Sequence, residues 1–375
     1  MNKVFIILFF FTIQVLGQES KPYFLAPPDH FLLSADLHTH SVFSDGSVWP
    51  DIRVKEAIRE NIDLLAITEH LEYQPYKEDI PHPDRNRSFI LADTIAKSLQ
   101  SKLRIISGAE ITRKMPPGHL NAIFINDANK LLYKKDSIKG VEIANKQGAF
   151  VFWNHPMWGG QEKDGISRLY PIHKYLIKNK LLHGIEVVNL FDYSQEALKI
   201  ALENNLTILG TSDIHGLINW EWNLDKGGHR PLTFIITKDD SFKGIKNALF
   251  ERKTMVWFNN LIIGEEQNIS PIINKNLELH YLGYGEKSPN FEEDDKGSLV
   301  LKVKLKNNSA LPFKLLYNGD FTFMSQSNLI EVPPYDNLIL RVKTIKKKDK
   351  IDLYFKVLNA IIGPQKNLDI ILSHD

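Results

Sequence analysis

The first part of the chain alternates short apolar runs with amphipathic stretches. Eight apolar runs, interpreted as strands, lie at residues 32–38, 64–68, 103–107, 119–125, 149–154, 184–189, 207–211 and 232–237. Amphipathic stretches, interpreted as helices, lie at 52–61, 89–101, 137–147, 195–204 and 241–251. Near-continuous apolar strands separated by helices are typical of a parallel sheet buried on both faces. The pattern predicts an α/β fold, a distorted TIM-like barrel of seven or eight units, with an open doubly wound sheet as the alternative.

After about residue 260 the pattern changes to that of half-exposed strands. Within 298–306 leucine and valine alternate with lysine, and similar short runs lie at 313–317, 338–343, 351–358 and 368–372. Such alternation predicts a small all-β, sandwich-like domain. We therefore expect a barrel at 18–262 and an accessory β domain at 263–375. The charge runs of this second part, at 292–296 and 346–350, are interpreted as solvated turns rather than as a binding patch.

The N-terminus has the pattern of an export signal. Lys3 precedes an apolar run at 4–11, and the small residue Gly17 offers a cleavage point before Gln18. The run is too short for a membrane span. We expect residues 1–17 to be a signal peptide, with a buried N-terminal strand or an uncleaved anchor as the alternatives. The chain has no cysteine, which excludes a lipid-anchored lipoprotein and suits a bacterial periplasmic or secreted protein.

Composition narrows the chemistry further. The 375 residues carry a net charge of +1, so no global field attracts nucleic acid or an anionic membrane. We expect neither a nucleic-acid partner nor a stable membrane anchor, and the oligomeric state stays open. Without cysteine, any metal must be held by histidine, aspartate and glutamate.

Metal-ligand residue types follow most of the predicted strands. His38 and His40 are two apart at a strand end, so both imidazoles project from the same face. Because the carboxyl ends of parallel strands gather on one rim, similar residues after the other strands should lie close to this pair. The residues concerned are His38, His40, Asp45, His70, Glu110, His155, Asp213 and His215, with His119 before a strand nearby. Each alone fits a structural role, but their joint occurrence predicts a multinuclear metal site.

The motifs that contain these residues resemble, in order, those of the PHP (polymerase and histidinol phosphatase) family. They are His-Thr-His with Ser-Asp-Gly at 38–46, Thr-Glu-His at 68–70, Gly-Ala-Glu at 108–110, Gly-His-Leu-Asn at 118–121, Asn-His-Pro at 154–156 and Ser-Asp-Ile-His at 212–215. The resemblance covers about 32–258. The strings at 110–119 and 150–156 are similar to a bacterial subgroup, the Sb-PDE-type phosphodiesterases, which also carry an export signal and a C-terminal β domain.

The resemblance implies a distorted seven-stranded βα barrel with a trinuclear centre of divalent ions, Mn, Fe or Zn. Carried over by motif, the first ion takes His38, His40, Glu110 and Asp213, the second takes Glu110, His119 and His155, and the third takes Asp45, His70 and His215. Many PHP phosphatases have histidine where this chain has Asp45, which leaves the identity of the third ion open.

From this site we predict hydrolysis of phosphate esters, most simply of phosphodiesters, in which a hydroxide shared by two ions attacks phosphorus in line. Glu110 and Asp213 are the predicted catalytic carboxylates. A monoanionic diester favours a cationic clamp, for which Arg113 is the first candidate and His229 with Arg230 the second; an ordinary ion-paired arginine is the alternative. The runner-up functions are a phosphomonoesterase like histidinol phosphatase and a non-catalytic metal- or ligand-binding exported protein.

Two further sets of residues have open roles at this point. Asn121 and Asn154 could orient metal ligands or cap turns. Four tryptophans could line a substrate cleft or pack in the core, namely Trp153, Trp158, Trp220 and Trp222.

Overall fold

The computed structural model describes residues 21–133, 136, 138–286 and 299–374. The predicted signal peptide at 1–17 and the charge run at 292–296 lie outside the described residues. Within the described ranges no helix is both long and apolar enough to cross a membrane.

Among the described residues, the first part of the chain contains eleven strands and eight α-helices. The strands are β1 Phe31–Asp36, β2 Leu64–Ile67, β3 Arg104–Ile111, β4 Leu120–Ile123, β5 Phe150–Trp153, β6 Gly184–Asn189, β7 Asp192–Tyr193, β8 Thr207–Thr211, β9 Leu232–Thr237, β10 Thr254–Phe258 and β11 Leu261–Gly264. The helices are α1 Pro50–Arg59, α2 Arg87–Ser98, α3 Lys139–Lys146, α4 Pro171–Lys178, α5 Gln195–Asn204, α6 Ile218–Glu221, α7 Phe242–Phe250 and α8 Glu266–Asn276.

The strands follow one another around a curved sheet in the order β9-β1-β2-β3-β4-β5-β6-β8. The pairs β1–β2, β2–β3, β5–β6 and β6–β8 are parallel, as predicted. The expectation of a wholly parallel sheet was wrong for β4 and β9, which run antiparallel to their neighbours. Only eight residues separate β3 from β4, and a parallel crossover needs about a dozen or more.

The sheet closes into a distorted barrel through side chains rather than through a backbone ladder. Thr233 of β9 bridges to β8, since its hydroxyl accepts from Gly210 N at 3.0 Å and donates to Gly210 O at 2.8 Å. Thr254 of β10 donates to Ile208 O at 2.8 Å. A Cβ at position 210 would lie 2.3 Å from Val256 Cγ1, so only glycine permits this approach.

The second part is a β sandwich, as predicted. Its strands are β12 Leu277–Glu286, β13 Leu299–Asn307, β14 Phe313–Tyr317, β15 Thr322–Phe323, β16 Leu329–Val332, β17 Asn337–Thr344, β18 Asp352–Gly363 and β19 Lys366–Ser373. One sheet has the order β12-β13-β17-β15, and the other is formed by β16, β14, β18 and β19. The predicted fold class, a distorted βα barrel followed by a small all-β domain, is therefore confirmed.

The two parts are joined by both backbone pairing and a shared core. The end of β18 pairs in parallel with β11, with Ile262 opposite Ala360. Apolar side chains of α8, such as Ile269 and Ile273, belong to one buried cluster that runs from the barrel into the sandwich. The domain boundary predicted at 262 lies inside β11 and stays a prediction.

Candidate metal centre

Glu110, at the end of β3, lies at the centre of the ring of histidines and carboxylates. Its side chain is fully buried, and its Oε2 lies 3.3 Å from His38 Nε2 and 3.2 Å from His40 Nε2. The same two imidazole nitrogens are 3.0 Å apart, and Asp213 Oδ1 is 3.1 and 3.2 Å from them. Separations of about 3.3 Å are those of ligand atoms around a tetrahedral ion with bonds of about 2.0 Å.

A second group of atoms faces the other oxygen of Glu110. His119 Nδ1 lies 2.7 Å from Glu110 Oε1, and His155 Nε2 lies 3.7 Å from it. His119 comes just before β4, and because that strand is antiparallel to β3 its start lies at the rim where β3 ends. The reversed strand thus brings His119 to the same rim as the residues that follow the parallel strands.

A third group surrounds Asp45, in the loop after β1. His215 Nε2 lies 3.2 Å from Asp45 Oδ1, and His70 Nε2 lies 3.4 Å from Asp45 Oδ2. His40 Nδ1 is 3.7 Å from the same carboxylate. All nine predicted metal-ligand side chains therefore lie in one cluster. Three sets within it are close enough for a shared ion, namely His38–His40–Glu110, His70–Glu110–His119 and His40–Asp45–His70–His215.

Glu186, in the middle of β6, supports two of these histidines from behind. Its Oε1 accepts from His38 Nδ1 at 2.8 Å and from Thr211 Oγ1 at 2.7 Å. Its Oε2 accepts from the backbone N–H of His155 at 2.6 Å and from Asn189 Nδ2 at 2.8 Å. A hydrogen on Nδ1 leaves a lone pair on Nε2 of a neutral imidazole, so Glu186 directs the ligating nitrogen of His38 toward the cluster.

Arg53 of α1 fixes the two loops that carry His40 and His215. It is fully buried, and it donates from Nε to His40 O at 2.8 Å and from Nη2 to His215 O at 2.8 Å. Its Nη1 pairs with Glu56 at 2.9 Å. The guanidinium of Arg53 is therefore hydrogen-bonded to loop carbonyls and one carboxylate, and these bonds hold the two loops of the rim together.

Hydroxyl groups orient two further imidazoles. His70 Nδ1 lies 2.7 Å from Thr112 Oγ1, and His40 Nδ1 lies 3.2 Å from Ser44 Oγ, which in turn donates to the buried Glu69. Of the two asparagines considered from sequence, Asn154 accepts from Asn121 N at 3.0 Å, which ties the strand end before His155 to β4.

The carboxylates of the cluster decide how its histidines are protonated. Burial opposes the charged form of His38, but nearby carboxylates, Asp213 first, outweigh it and raise the pKa of the imidazole well above its usual value. At His40 the same balance raises the pKa to about 10. Burial would raise the pKa of Glu110, yet neighbouring histidines hold it well below the usual range. The site therefore attracts positive charge, and a metal ion would compete with protons for it.

The donor set fits divalent metal ions. Glu110 Oε1, His119 Nδ1 and Asp213 Oδ1 are buried and, although other polar atoms lie close to them, they make no hydrogen bond of suitable geometry in the described part of the chain. Buried polar atoms without partners are costly, and a cation would satisfy all of them at once. Imidazole and carboxylate groups are suitable ligands for ions such as Zn, Fe and Mn.

The cluster opens to solvent through a cavity of about 240 Å³. Besides the ligand side chains it is lined by Met157, Trp158, Asn189, Leu190 and Asp192. The four tryptophans divide between the two roles considered from sequence: Trp153 and Trp222 are buried in the core, whereas Trp158 lines the cavity and Trp220 is exposed.

Arg113 does not reach this cavity. Its guanidinium pairs with Glu72 and donates to the backbone carbonyls of Thr112 and Tyr133. Glu72 also accepts from Thr112 N at 2.9 Å, so the arginine braces the loop after β3. This pairing favours the alternative of an ion-paired arginine, and the role of Arg113 as a substrate clamp stays a prediction.

His229 and Arg230 do not line the cavity either. The ring of His229 stacks on Trp257 at 3.6 Å, and both ring nitrogens lie near backbone carbonyls. Arg230 is fully buried between Asp36, at 2.8 Å, and Glu60, at 2.6 Å. These buried contacts, just before β9, fit a stabilising role, and the catalytic role of His229 and Arg230 stays a prediction.

Replacing Arg230 with methionine is expected to cost about 3–5 kcal/mol of stability, because two buried carboxylates would lose their partner. The turnover number of the folded enzyme should change by less than about tenfold. Chemical unfolding followed by circular dichroism, with kinetics on the folded protein, measures both. Arg59→Met, which removes an exposed arginine of α1, is the matched control. A large loss of turnover at unchanged stability would support the predicted catalytic role of Arg230.

Sequence reasoning missed Glu186 and Arg53, although each left a signal. Glu186 is a charged residue inside the apolar run Ile185–Val188, where it must be paired if buried. Arg53 lies among the buried positions of α1, on the face that should be apolar. Neither signal identifies the partners at the site, because His38 lies 148 positions from Glu186 and His215 lies 162 positions from Arg53.

Two family descriptions match the chain. The PHP domain matches residues 36–212, and an Ig-like domain matches residues 287–373. No curated protein matches it.

Solved structures include one that is similar over nearly the whole length. It is a two-domain protein from Bacteroides vulgatus containing a predicted PHP-like metal-dependent phosphoesterase, with 36% identity and a TM-score of 0.84, covering 96% of this chain and 100% of that one. PsfC from Pseudomonas syringae is a much weaker match, with 18% identity and a TM-score of 0.42 over 61% of this chain and 92% of its own. Identity and coverage of the Bacteroides protein, together with the PHP match, show that this chain belongs to the PHP family.

Proposed function

We propose that this protein is a metal-dependent phosphoesterase that hydrolyses phosphodiesters. The observation that carries the proposal is the position of Glu110. Its two oxygens face two different sets of histidines next to an open cavity that His119 and His155 line, which is the arrangement expected of a carboxylate shared between ions.

The proposed centre holds three ions, a number that comes from the motif resemblance. The residues that would hold them are His38, His40, Glu110 and Asp213 for the first, Glu110, His119 and His155 for the second, and Asp45, His70 and His215 for the third. Bound there, divalent ions would supply Lewis acidity, which lowers the pKa of water and polarises phosphoryl oxygens.

The side chains around the centre position it. Glu186 and Thr112 orient His38 and His70, and Arg53 holds the two loops together. Trp158 covers His119 and His155 at ring distances of 5.8 and 5.2 Å and so limits the access of bulk water on that side.

A diester is favoured by the charge of the cavity. Asp45, Asp192 and Asp213 line it, and no lysine or arginine is among its described lining residues. Bound ions would neutralise Asp45 and Asp213 but not Asp192, and a diester, with one negative charge where a monoester has about two, meets less repulsion from Asp192. The similarity of 110–119 and 150–156 to the Sb-PDE-type phosphodiesterases supports the same choice.

The rates of the Mn-loaded protein on bis-p-nitrophenyl phosphate and on p-nitrophenyl phosphate test the proposal. We expect kcat/KM for the diester to exceed that for the monoester by at least about tenfold. A preference for the monoester would support the phosphomonoesterase alternative. Activity on neither substrate, with the metal content confirmed, would support the alternative of a non-catalytic metal- or ligand-binding protein.

We also propose that the protein is exported to the periplasm or secreted, with cleavage near Gly17. This rests on the basic residue, apolar run and small residue at 1–17. The mass of the mature N-terminus, read from protein isolated from its source, tests it; an intact Met1 would contradict it.

A further inference from the structure

Four exposed aromatic side chains lie among the residues that line the metal cavity or within a few positions of them in the chain. Tyr73, Trp158, Phe191 and Trp220 are 51%, 48%, 49% and 68% exposed, and together they are termed the aromatic rim. Large aromatic side chains are rarely left in water in such a group without a binding role. We propose that the aromatic rim binds a planar, uncharged or cationic aromatic ester group of the substrate, an inference that rests on the proposed phosphoesterase function.

Two members of the rim touch the metal-ligand histidines directly. The ring of Tyr73 meets that of His70 edge-on at 5.8 Å. Trp158 meets His155 edge-on at 5.2 Å and lines the cavity itself. A group attached to a phosphorus atom at the cluster would therefore reach these two rings first.

The other two members flank the opening on the loops after β6 and β8. Phe191 lies between Leu190 and Asp192, both of which line the cavity, and its ring lies 5.3 Å from that of Trp222. Trp220 lies over Gly216, the residue after His215, where an added Cβ would come within 2.8 Å of the indole.

The glycines beneath the two exposed indoles fix their orientation. A Cβ at Gly160 would lie 2.5 Å from the ring of Trp158, and one at Gly216 would lie 2.8 Å from the ring of Trp220. Each indole thus rests on backbone on one side and leaves much of its surface open. Rings held in this way lose little conformational entropy when a flat ligand stacks on them.

The size of the cavity requires the ester groups to reach the rim. Its volume of about 240 Å³ is below the roughly 300–1,000 Å³ of sites that enclose a whole organic ligand. The phosphoryl group fits at the cluster, and the groups esterified to it must extend outward between the aromatic side chains.

Charge decides which aromatic group fits. The exposed carboxylate of Asp192 lies beside Phe191, and the described lining residues include no lysine or arginine. A second phosphate or carboxylate on the ester group would be repelled there, whereas a neutral ring is accepted and a cationic one is attracted both by the carboxylate and by the π faces.

Phosphonates separate binding from turnover, because their carbon–phosphorus bond is not hydrolysed by an esterase. Calorimetric titration of the Mn-loaded full chain with methylphosphonate and benzylphosphonate compares the same head group with and without a ring. We expect benzylphosphonate to bind about tenfold more tightly, with cyclohexylmethylphosphonate between the two.

Tyr73→Ala and Trp158→Ala should each reduce the ratio of the benzylphosphonate affinity to the methylphosphonate affinity by about three- to tenfold. Tyr354→Ala is the matched control, since this tyrosine is 46% exposed on β18 of the sandwich. Equal affinities of the two phosphonates for the native protein, or equal losses of both in the variants, would overturn the inference.

Two ligands of opposite charge test the proposed preference for uncharged or cationic aromatic groups. We expect 4-(aminomethyl)benzylphosphonate to bind more tightly than 4-carboxybenzylphosphonate, and Asp192→Asn to narrow the difference. The reverse order of affinities would contradict the proposed preference for cationic groups. Tight binding of methylphosphonate without any preference for ligands that carry a ring would contradict only the proposed role of the aromatic rim. Failure to bind any phosphonate or to hydrolyse any ester would contradict the proposed function itself.

Discussion

Asp213→Asn is expected to abolish the hydrolysis of phosphate esters and to reduce the metal content of the purified protein. The carboxylate contacts both halves of the cluster, with Oδ1 at 3.1 Å from His38 Nε2 and Oδ2 at 4.0 Å from His155 Nε2. An amide there removes one negative charge and replaces one of the two ligand oxygens with an N–H₂ group. The loss in kcat/KM should exceed the about 10- to 100-fold typical of residues that only support a ligand.

Asparagine is chosen because the backbone of residue 213 lies in the left-handed region, with φ of 49°. Asparagine tolerates this conformation better than alanine, so the fold should be kept. The backbone N–H of residue 213, which donates to His38 O at 2.9 Å, is also unaffected.

Asp29→Asn is the matched control for this variant. Asp29 has a similar φ of 58° but lies exposed in the loop before β1. Metal analysis by mass spectrometry, a thermal melt and the diester assay are made on both proteins. Full activity and full metal content in Asp213→Asn would overturn the assignment of the whole centre.

Glu186→Gln is expected to weaken metal binding by about 10- to 100-fold, the range for residues that orient a ligand. The four donors around Glu186 need four acceptor positions, and a glutamine offers one oxygen and turns an N–H₂ group toward donors. The imidazole of His38 and the backbone of His155 both lose a partner, so the ligating nitrogens are less well aligned.

Competition with a chelator measures the affinity, and thermal melts with and without metal give an independent reading. A tenfold loss in affinity removes about 1.4 kcal/mol of the stabilisation that saturating metal provides. Glu60→Gln is the control, because it changes another buried carboxylate, the partner of Arg230, that makes no contact with the histidines. If Glu186→Gln binds metal as the native protein does, its orienting role is excluded.

The barrel strands were largely predictable because their signal is local. Each apolar run predicted from sequence in this part overlaps an observed strand, and the run at 184–189 coincides with β6. The strands β7, β10 and β11 and the helices α4, α6 and α8 were not predicted; α8 contains Pro271, which weakens a helical pattern. Strand direction was predictable only in part, since β4 and β9 have the same apolar composition as parallel strands.

The ligand cluster was predictable for a similar reason. His38 and His40 share a face through the two-residue period of a strand, and residues after parallel strands meet on one rim through a general property of such sheets. The roles of the candidate cationic residues could not be predicted in this way. An arginine near a strand end has the same sequence signature whether it faces a cavity or pairs with a carboxylate, and Arg113 and Arg230 do the latter.

The sequence by itself determined the family, the two-part architecture and the nine side chains that converge, because alternation along a strand and the order of motifs are properties of neighbouring residues. The tertiary structure decided the rest. In the folded chain β4 runs antiparallel to β3, which brings His119 to the rim. Glu186 contacts His38, although the two residues are 148 positions apart in the chain. The folded structure also pairs Arg113 and Arg230 with carboxylates and leaves the aromatic rim exposed. These features depend on contacts between distant residues, which form only when the packed core sets the distances between strands.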